Sequence, residues 1–593
     1  MVTDGARPAR HLAGWWIIAL LMVVCSGREG VAQVDTFTTL SEVDITGNRH
    51  FEKSVLMELI ESRESSWLSW LPWIDPRPVV QSRVRTDMLR LASFYKDEGF
   101  LAVTVDTLIE RKGTKVRVAF LVSEGQPVLI DSVLVRGDAD VIDPGRMETR
   151  AGARLTRGAL EEDRVRMLSA LRDSGHAFAR LEVKTAIDPD KNRASVAFDV
   201  NAGNRFRFGD VVVRGNRNVG AATIRRGVTF RPGAAFQQRS AQDARRQLYR
   251  SRAFRSVVID FPDSLARDTT ATTVVSVSER SLRSVKLGAG YDTQNQLNGS
   301  ISWTHRSVFG GAQHFRIGID ASAILTEFRA SLTQPYVFGN RNWLNFGLFI
   351  RSRVKADEFR QTEIGGDIAF ERNIASRTTL LFETGGGVIG FEGDSLFVEF
   401  VTSFIDDHRD DFLDPSDGVF VRVEARQKGA LFQSSRELLK LTAEGRWYTP
   451  LPASSVLASR VSGGMIVNLS SEGEIPNFER FFAGGLASVR GWSLDQLGPK
   501  DRMGTPVGGK SKFEGSIEIR TRLGKYLGTA IFLDGGQVDP QFNAFDFGGF
   551  AWAVGGGIRY LSPVGPIRLD AGRRLTEDDT SRWQYHFSIG QAF

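Results

Sequence analysis

The chain has 593 residues, of which 60 are glycine, 25% are charged and one is a cysteine. This length allows several domains. The formal net charge at pH 7 is only +6, and acidic and basic residues are interleaved, so no basic block indicates nucleic-acid binding.

One uninterrupted apolar run lies near the start of the chain, from residue 12 to residue 24. Basic residues precede the run, and Gly30-Val31-Ala32 follows it, which predicts a signal peptide over residues 1–32 that is cleaved after Ala32. The run is short for a bilayer-spanning helix, which needs about 20 apolar residues. A lipoprotein anchored through Cys25 is the alternative, but the small residue expected before a lipidated cysteine is missing. Removal of Cys25 excludes disulfides and cysteine metal sites.

A pattern recurs three times between residues 41 and 280. Each copy opens with a short apolar strand that ends at glycine followed by Asn or Asp, and glycine there fits a turn with positive φ. Two helical stretches with one apolar stripe follow, and then strands with alternating apolar residues. The sequence therefore predicts three α+β modules of the form β-α-α-β-β, called the first, second and third module. Their predicted bounds are 41–127, 128–205 and 206–281.

These modules are either ordinary α+β domains or binding domains. An open sheet edge on each would suit the addition of a client strand, which favours binding. The first module also carries an insertion with three tryptophans, from Trp67 to Trp73. The insertion fits a partner-binding or interfacial patch and equally fits a loop folded over its own domain.

From about residue 283 the pattern changes to period-two segments that continue to the end of the chain. In the last segment Trp583, Tyr585, Phe587 and Ile589 alternate with polar or small residues. Apolar residues on one face and charged residues on the other fit lipid outside and water inside a barrel. A soluble sandwich has the same period, but it would not usually place charged residues so regularly opposite aromatic ones. We therefore predict a transmembrane antiparallel β-barrel of roughly 16 strands over residues 283–593.

The segment Phe481-Phe482-Ala483-Gly484-Gly485, with Val489-Arg490-Gly491-Trp492 after it, resembles the signature loop of the BamA/TamA family of outer-membrane assembly factors. That family usually has Phe or Tyr where this chain has Trp492. The three modules resemble the family's periplasmic POTRA modules, and three of them before a barrel resemble the TamA-like branch. The resemblance implies a loop that folds back into the barrel lumen. Its arginine would be held by carboxylates that match Glu518 and Asp534, an arrangement that satisfies a buried charge.

The end of the chain resembles the terminal signal that marks a barrel for insertion. We expect this last strand to form one side of a seam with the first barrel strand. The expected seam residues are Tyr585, Phe587, Ile589, Gly590 and Phe593. Further segments that resemble the family are residues 306–311, 334–339, 407–411 and 562–566.

Catalytic chemistry is not indicated by the sequence. Residues 504–511 match the phosphate-binding loop pattern, but an alternating strand follows them and an exported protein has no ATP supply. The aspartates around His408 have no spacing that fits a calcium loop. No Gly-x-Ser-x-Gly nucleophile elbow is present. We therefore predict no enzyme activity, no catalytic residue, no metal, no cofactor and no bound nucleotide.

The resemblance implies a bacterial outer-membrane protein that inserts or translocates client proteins without ATP. Its expected partners are the outer-membrane lipid bilayer, client outer-membrane or secreted proteins, and a periplasm-spanning partner anchored in the inner membrane. Two alternatives are a dedicated secretion pore for a two-partner substrate and a TamA-like component that bridges the envelope or transports lipid.

Overall fold

The computed structural model describes residues 39–589 with internal gaps. The residues outside it are 1–38, 65–78, 114, 139, 263–265, 268, 356–358, 391–393, 430–436, 453, 471–473, 525, 542–548, 563–564, 577–582 and 590–593. The predicted signal peptide, the tryptophan-rich insertion and the expected seam residues Gly590 and Phe593 therefore lie outside the described residues. None of the helices in the described part of the chain is both long and apolar enough to cross a membrane.

The described chain divides into two compact units. One holds the first module with part of the second, and the other holds the rest of the second module, the third module and the barrel. The first module consists of β1 (Thr39–Thr46), α1 (Lys53–Leu59), α2 (Gln81–Asp97), β2 (Thr104–Lys112) and β3 (Lys115–Ser123), with sheet order β1-β3-β2. The second consists of β4 (Leu129–Gly137), a 3-10 turn (Pro144–Arg146), α3 (Arg157–Asp173), β5 (Arg180–Asp188) and β6 (Arg193–Asn201), with sheet order β4-β6-β5.

The third module consists of β7 (Arg207–Arg214), α4 (Ala221–Gly227), α5 (Gln238–Arg250), β8 (Phe254–Asp260), β9 (Ala266–Arg267) and β10 (Thr270–Glu279). Its main sheet order is β7-β10-β8, and β9 pairs with β10. In the first and third modules the first strand runs parallel to the last, because two helices carry the chain back across the sheet. The helices cover one face and form a core around residues such as Tyr95, Phe120 and Phe254.

The glycine that closes the first strand of each module has the predicted positive φ, with values of 86° at Gly47, 91° at Gly137 and 79° at Gly215. A Cβ at each of these positions would overlap the carbonyl oxygen of a valine in the last strand of the same module. Both the backbone conformation and the close approach thus require glycine.

A carboxylate organises the turn after this glycine in two of the modules. Glu124 accepts hydrogen bonds from the backbone N–H groups of Arg49 and His50, at 2.8 and 3.1 Å. Glu279 occupies the same place in the third module, whereas the second module has Ala202 there, which offers no acceptor. The second module also differs from the predicted β-α-α-β-β pattern, since a 3-10 turn replaces its first helix. The second module thus lacks both the carboxylate that organises the turn and the helix that follows this turn in the other two modules.

In the described residues, sixteen antiparallel strands close into a barrel, which confirms the predicted fold class of α+β modules followed by a barrel. The strands are β11 (Arg283–Asp292), β12 (Gln296–Arg306), β13 (His314–Ala321), β14 (Leu325–Pro335), β15 (Asn342–Lys355), β16 (Phe359–Asn373), β17 (Thr378–Gly390), β18 (Asp394–Asp407), β19 (Gly418–Lys428), β20 (Leu438–Leu451), β21 (Ser455–Asn468), β22 (Ser511–Arg522), β23 (Leu527–Asp539), β24 (Ala551–Ser562), β25 (Gly565–Arg574) and β26 (Trp583–Ile589).

The third module contacts the barrel turns at one end of the strands. The backbone N–H of Gly220 donates to the carbonyl of Gly310 at 2.9 Å, and the Asn340 side chain donates to the carbonyl of Val228 at 3.1 Å. Tyr336, in another of these turns, is 3% exposed against the module. The segments 306–311 and 334–339, noted in the sequence for their resemblance, therefore hold the third module on the barrel.

Candidate functional site: the lumen loop and the seam

The segment 474–510, which we call the lumen loop, joins β21 to β22 and contacts inward-facing side chains of the barrel wall. Along β23 the outward residues Ile531 and Leu533 are 62% and 40% exposed, whereas Asp534 is fully buried, so the predicted alternation of the two faces is confirmed there. The loop turns sharply at Gly484 and Gly485, whose φ values are 103° and 108°. This places the segment from Val489 to Trp492 against the wall, with Val489 and Trp492 almost completely buried.

Arg490 is held by the two carboxylates that the sequence suggested. Its Nε donates to Asp534 at 2.7 Å and its Nη2 donates to the other oxygen of the same carboxylate at 2.8 Å. Its Nη1 donates to Glu518. The guanidinium carbon lies 3.3 Å from the centre of the Phe532 ring. A bidentate pair under a ring face fixes both the position and the plane of the guanidinium.

A third carboxylate, Asp570 on β25, was not identified from the sequence. It lies 3.7 Å from Nη1 of Arg490, is fully buried and also pairs with Arg559. A buried charge is stable only when it is paired and hydrogen-bonded, and the group of Arg490, Glu518, Asp534, Asp570 and Arg559 meets that requirement. Asp570 follows the same alternation as many other inward-facing residues, so no sequence signal distinguishes it.

We call residues 489–492 the tip of the lumen loop, and the residues of the tip that follow Arg490 are also closely packed. The Arg574 side chain donates to the carbonyl of Gly491 at 2.8 Å, and its guanidinium lies 5.0 Å from the Trp492 ring. A Cβ at Gly491 would lie 2.7 Å from the Cβ of Ala553 on β24, so a larger residue would push the tip off the wall.

The tip is also bonded to the last described strand, β26. Nε2 of His586 donates to the carbonyl of Arg490 at 3.0 Å, and Ser493 donates to the Gln584 side chain at 3.0 Å. His586 is 1% exposed, whereas its neighbour Tyr585 is 62% exposed on the opposite face. The loop is thereby connected to the strand that borders the seam, a link that the sequence analysis missed.

A second anchor lies at the start of the loop, around Glu479. Three lysines from three strands converge there, and we call Lys355, Lys428 and Lys440 the lysine clamp. Lys428 pairs with the Glu479 carboxylate at 2.6 Å, and Lys440 donates to the Glu479 carbonyl at 2.7 Å. Lys355 donates to the carbonyl of Phe478. The loop is therefore bound both to the β15–β20 part of the wall and to the β22–β26 part.

The seam between β11 and β26 is the shortest ladder of the described barrel. Among the described residues, which end at Ile589, only Tyr291 with Ile589 and Asp292 with Ser588 are in register, whereas the other fifteen ladders have seven to fourteen registered pairs. The N–H of Thr293 adds one bond to the carbonyl of Phe587 at 2.9 Å. Among the described residues, this ladder therefore has the fewest backbone bonds to break when its two strands separate.

Comparison with known families agrees with this architecture. The family model described as the Omp85 superfamily domain matches residues 308–593, and a POTRA model, described as a surface antigen variable number repeat, matches residues 38–125 and 144–203. The chain belongs to the BamA/TamA family. A barrel of this family lies in the bacterial outer membrane with its POTRA modules in the periplasm, so the barrel turns that contact the third module are periplasmic.

Among curated relatives, the outer membrane protein assembly factor BamA of Nitratidesulfovibrio vulgaris is 25% identical over 71% of this chain and 56% of its own length. BamA of Neorickettsia risticii is 23% identical over 91% of this chain and 76% of its own length. The crystal structure of Haemophilus ducreyi BamA lacking POTRA domains 1–3 shares the fold with a TM-score of 0.59 and 17% identity, over 78% of this chain and 99% of that one. The chain thus spans little more than half of the first of these relatives.

Proposed function

We propose that this protein inserts or translocates client proteins at the outer membrane without ATP, by opening the barrel between β11 and β26. The observation that carries the proposal is that the described residues of this seam form two registered pairs, whereas ten registered pairs join β11 to β12 on its other side. Separated strands expose backbone N–H and C=O groups that a client strand can pair with. The BamA name of the curated relatives supports the same role.

The lumen loop would control that seam. Its tip is bonded to His586 and Gln584 on β26 and to Asp534 on β23, so movement of the tip would pull on one border of the seam. The lysine clamp holds the start of the loop to the opposite wall. We therefore assign Arg490, Glu518 and Asp534 the role of positioning residues for opening of the seam. Val489, Gly491 and Trp492 would pack the tip against the barrel wall.

The POTRA modules would receive clients along their sheet edges. In the first module β2 is an edge strand, and its residues Leu108 and Ile109 are 47% and 46% exposed. An edge strand with exposed apolar residues suits the addition of an extended client segment. The role needs no bound nucleotide and no catalytic residue. Assignment to the TamA-like branch, with a partner anchored in the inner membrane, stays a prediction from the number of modules.

The test is depletion of the protein followed by an inventory of outer-membrane proteins and lipids. The proposal expects many barrel proteins to fall together in abundance while lipid composition changes little at early times. Loss of one secreted protein alone would instead indicate a dedicated secretion pore. A primary change in lipid composition, with barrel proteins intact, would indicate lipid transport.

A further inference from the structure

Positive charge is concentrated in the third module. Residues 206–281 contain 14 arginines against 6 acidic residues, whereas the net charge of the whole chain is only +6. Most of these arginines are exposed. Since this module rests on the periplasmic turns of the barrel, its charge lies next to the membrane surface.

Part of this charge collects where the third module joins the first barrel strands. We call Arg252, Arg280, Arg283 and Arg306 the basic cluster. The backbone N–H of Arg280 donates to the carbonyl of Ala253 at 2.9 Å, which brings Arg280 beside Arg252. Arg306 donates through its backbone to the carbonyl of Leu282 at 2.7 Å, the residue before Arg283. The basic cluster is thus assembled from two turns of the module and the ends of β11 and β12.

No carboxylate among the described residues forms an ion pair with the basic cluster. The Arg280 side chain donates to the carbonyl of Phe254 and the Arg306 side chain to the carbonyl of Ser281, each at 2.9 Å. The charges of Arg280 and Arg306 act on one another, and those of Arg306 and Arg252 both act on His314. Glu279 is nearby in sequence, but its carboxylate is bonded to the N–H groups of residues 217–219. Such a group of like charges attracts an anion.

The cluster lies at the boundary of the hydrocarbon region. Arg283 begins β11, and the next residues on the same face of that strand, Val285 and Leu287, are 60% and 77% exposed. Exposed aliphatic side chains on a barrel wall contact lipid tails. An arginine two residues earlier therefore lies at the level of the lipid head groups, on the periplasmic side and next to the seam.

We propose that the basic cluster binds the phosphate of an anionic phospholipid of the periplasmic leaflet, whose acyl chains lie against Val285 and Leu287. Arginine presents several N–H donors in a plane that matches phosphate oxygens. The site offers arginines for a phosphate and exposed aliphatic side chains for acyl chains at the same place. A soluble anion or an acidic peptide would use only the arginines. The bound lipid would lie at the periplasmic end of β11, the first of the two strands that form the seam. The inference uses the membrane position of the barrel and does not depend on client insertion.

The test uses the full-length protein in a neutral detergent. It would be titrated with phosphatidylglycerol and, separately, with phosphatidylcholine of the same acyl chains, and retained lipid would be counted by native mass spectrometry. We expect clear preference for phosphatidylglycerol. The R252Q/R283Q variant removes two arginine side chains that make no hydrogen bond within the described structure. It should bind phosphatidylglycerol about 25-fold more weakly, because each arginine at a membrane surface contributes about 1 kcal/mol of attraction to anionic lipid.

The matched control is R214Q/R231Q, which removes two exposed arginines of the same module that lie outside the basic cluster. It should bind like the wild type, and R252K/R283K should retain most of the affinity. Equal binding of the two lipids by the wild type would overturn the proposal without any variant. Displacement of the lipid by low-millimolar inorganic phosphate would reduce the site to a simple anion site, and displacement by an acidic peptide would indicate a protein partner. Either result would contradict the proposal.

Discussion

Arg490 of the lumen loop and Asp534 of β23 are joined by three hydrogen bonds, two from the guanidinium and one from the backbone N–H. Asp534 is fully buried and Arg490 is 4% exposed. Because one carboxylate receives both the side chain and the backbone of Arg490, the pair fixes the tip of the loop in direction as well as in position. The same residue is connected through its carbonyl to His586 on the last strand.

Replacement of Arg490 by lysine should destabilise the barrel. Lysine keeps the charge but cannot bond both oxygens of Asp534 and also reach Glu518. Breaking a buried pair of this kind costs on the order of 3–5 kcal/mol. Urea unfolding in detergent micelles, followed by tryptophan fluorescence, measures the loss. The control R422K changes an arginine whose side chain is 47% exposed, and it should change the free energy of unfolding by less than about 1 kcal/mol. An R490K variant with the same free energy of unfolding as R422K would contradict the proposed role of Arg490 in positioning the loop tip.

The Glu479→Gln substitution should loosen the start of the lumen loop. It leaves Lys428, whose side chain is 11% exposed, without its carboxylate. We expect faster hydrogen exchange in the segment 477–482, measured by mass spectrometry of the full chain. Glu474→Gln provides the matched control, because Glu474 lies in the same loop and its side chain is 93% exposed. Equal exchange in the two variants would show that the lysine clamp does not hold the loop.

The Trp492→Ala substitution should lower the free energy of unfolding more than the same substitution of a lipid-facing tryptophan. Trp492 is 1% exposed, and its removal leaves a cavity in the packed tip, for which about 3–5 kcal/mol is usual. Trp492→Phe should cost less, since the ring still fills most of the space. Trp447→Ala is the control, because Trp447 is 43% exposed on the barrel surface. The free energy of unfolding measures all three, and equal losses for W492A and W447A would contradict the packing role.

The Glu279 carboxylate, which accepts hydrogen bonds from the N–H groups of residues 217–219, should make the turn of the third module sensitive to acid. Burial acts to raise the pKa of Glu279, but the N–H groups of Arg217 and Val219 and the Asn218 amide outweigh it, so the pKa lies below its ordinary value. The stabilisation is therefore complete above the ordinary pKa of about 4.3 and is lost as the pH falls through the lower folded value. Hydrogen exchange at residues 217–219, corrected for intrinsic rates, should rise over that range.

The Glu279→Gln variant should show this faster exchange already at pH 7. Its control is Asp210→Asn, which changes an exposed acid of the same module. If exchange at the turn is the same in both variants, the carboxylate does not organise it.

Features that depend on a pattern within one segment of the chain could be predicted from the sequence. The β-barrel follows from alternation, and Arg490 with Glu518 and Asp534 follows from a motif and two aligned positions that the structure brings together. The first-strand glycines were identified because a positive φ leaves few other residues.

Features that depend on strand register could not be predicted in this way. Lys355, Lys428 and Lys440 are spread over three strands and look like ordinary lumen-facing residues until the fold brings them to Glu479. Asp570 and His586 converge on Arg490 in the same manner. The second module has a 3-10 turn in place of its first helix and Ala202 in place of the glutamate of the other two modules, a coincidence that becomes visible only when the three turns are compared in three dimensions.

Locking the seam tests the central proposal most directly. Tyr291 and Ile589 are registered partners across β11 and β26, close enough for a disulfide when both are cysteine. The control pair is Ile301→Cys with Ile319→Cys, registered across β12 and β13 away from the seam. Insertion of a client barrel into proteoliposomes would be measured with oxidant and again after reductant. We predict that the oxidised seam variant loses insertion and regains it on reduction, while the control inserts under both conditions. A seam-locked protein that inserts clients at the wild-type rate would contradict opening between β11 and β26.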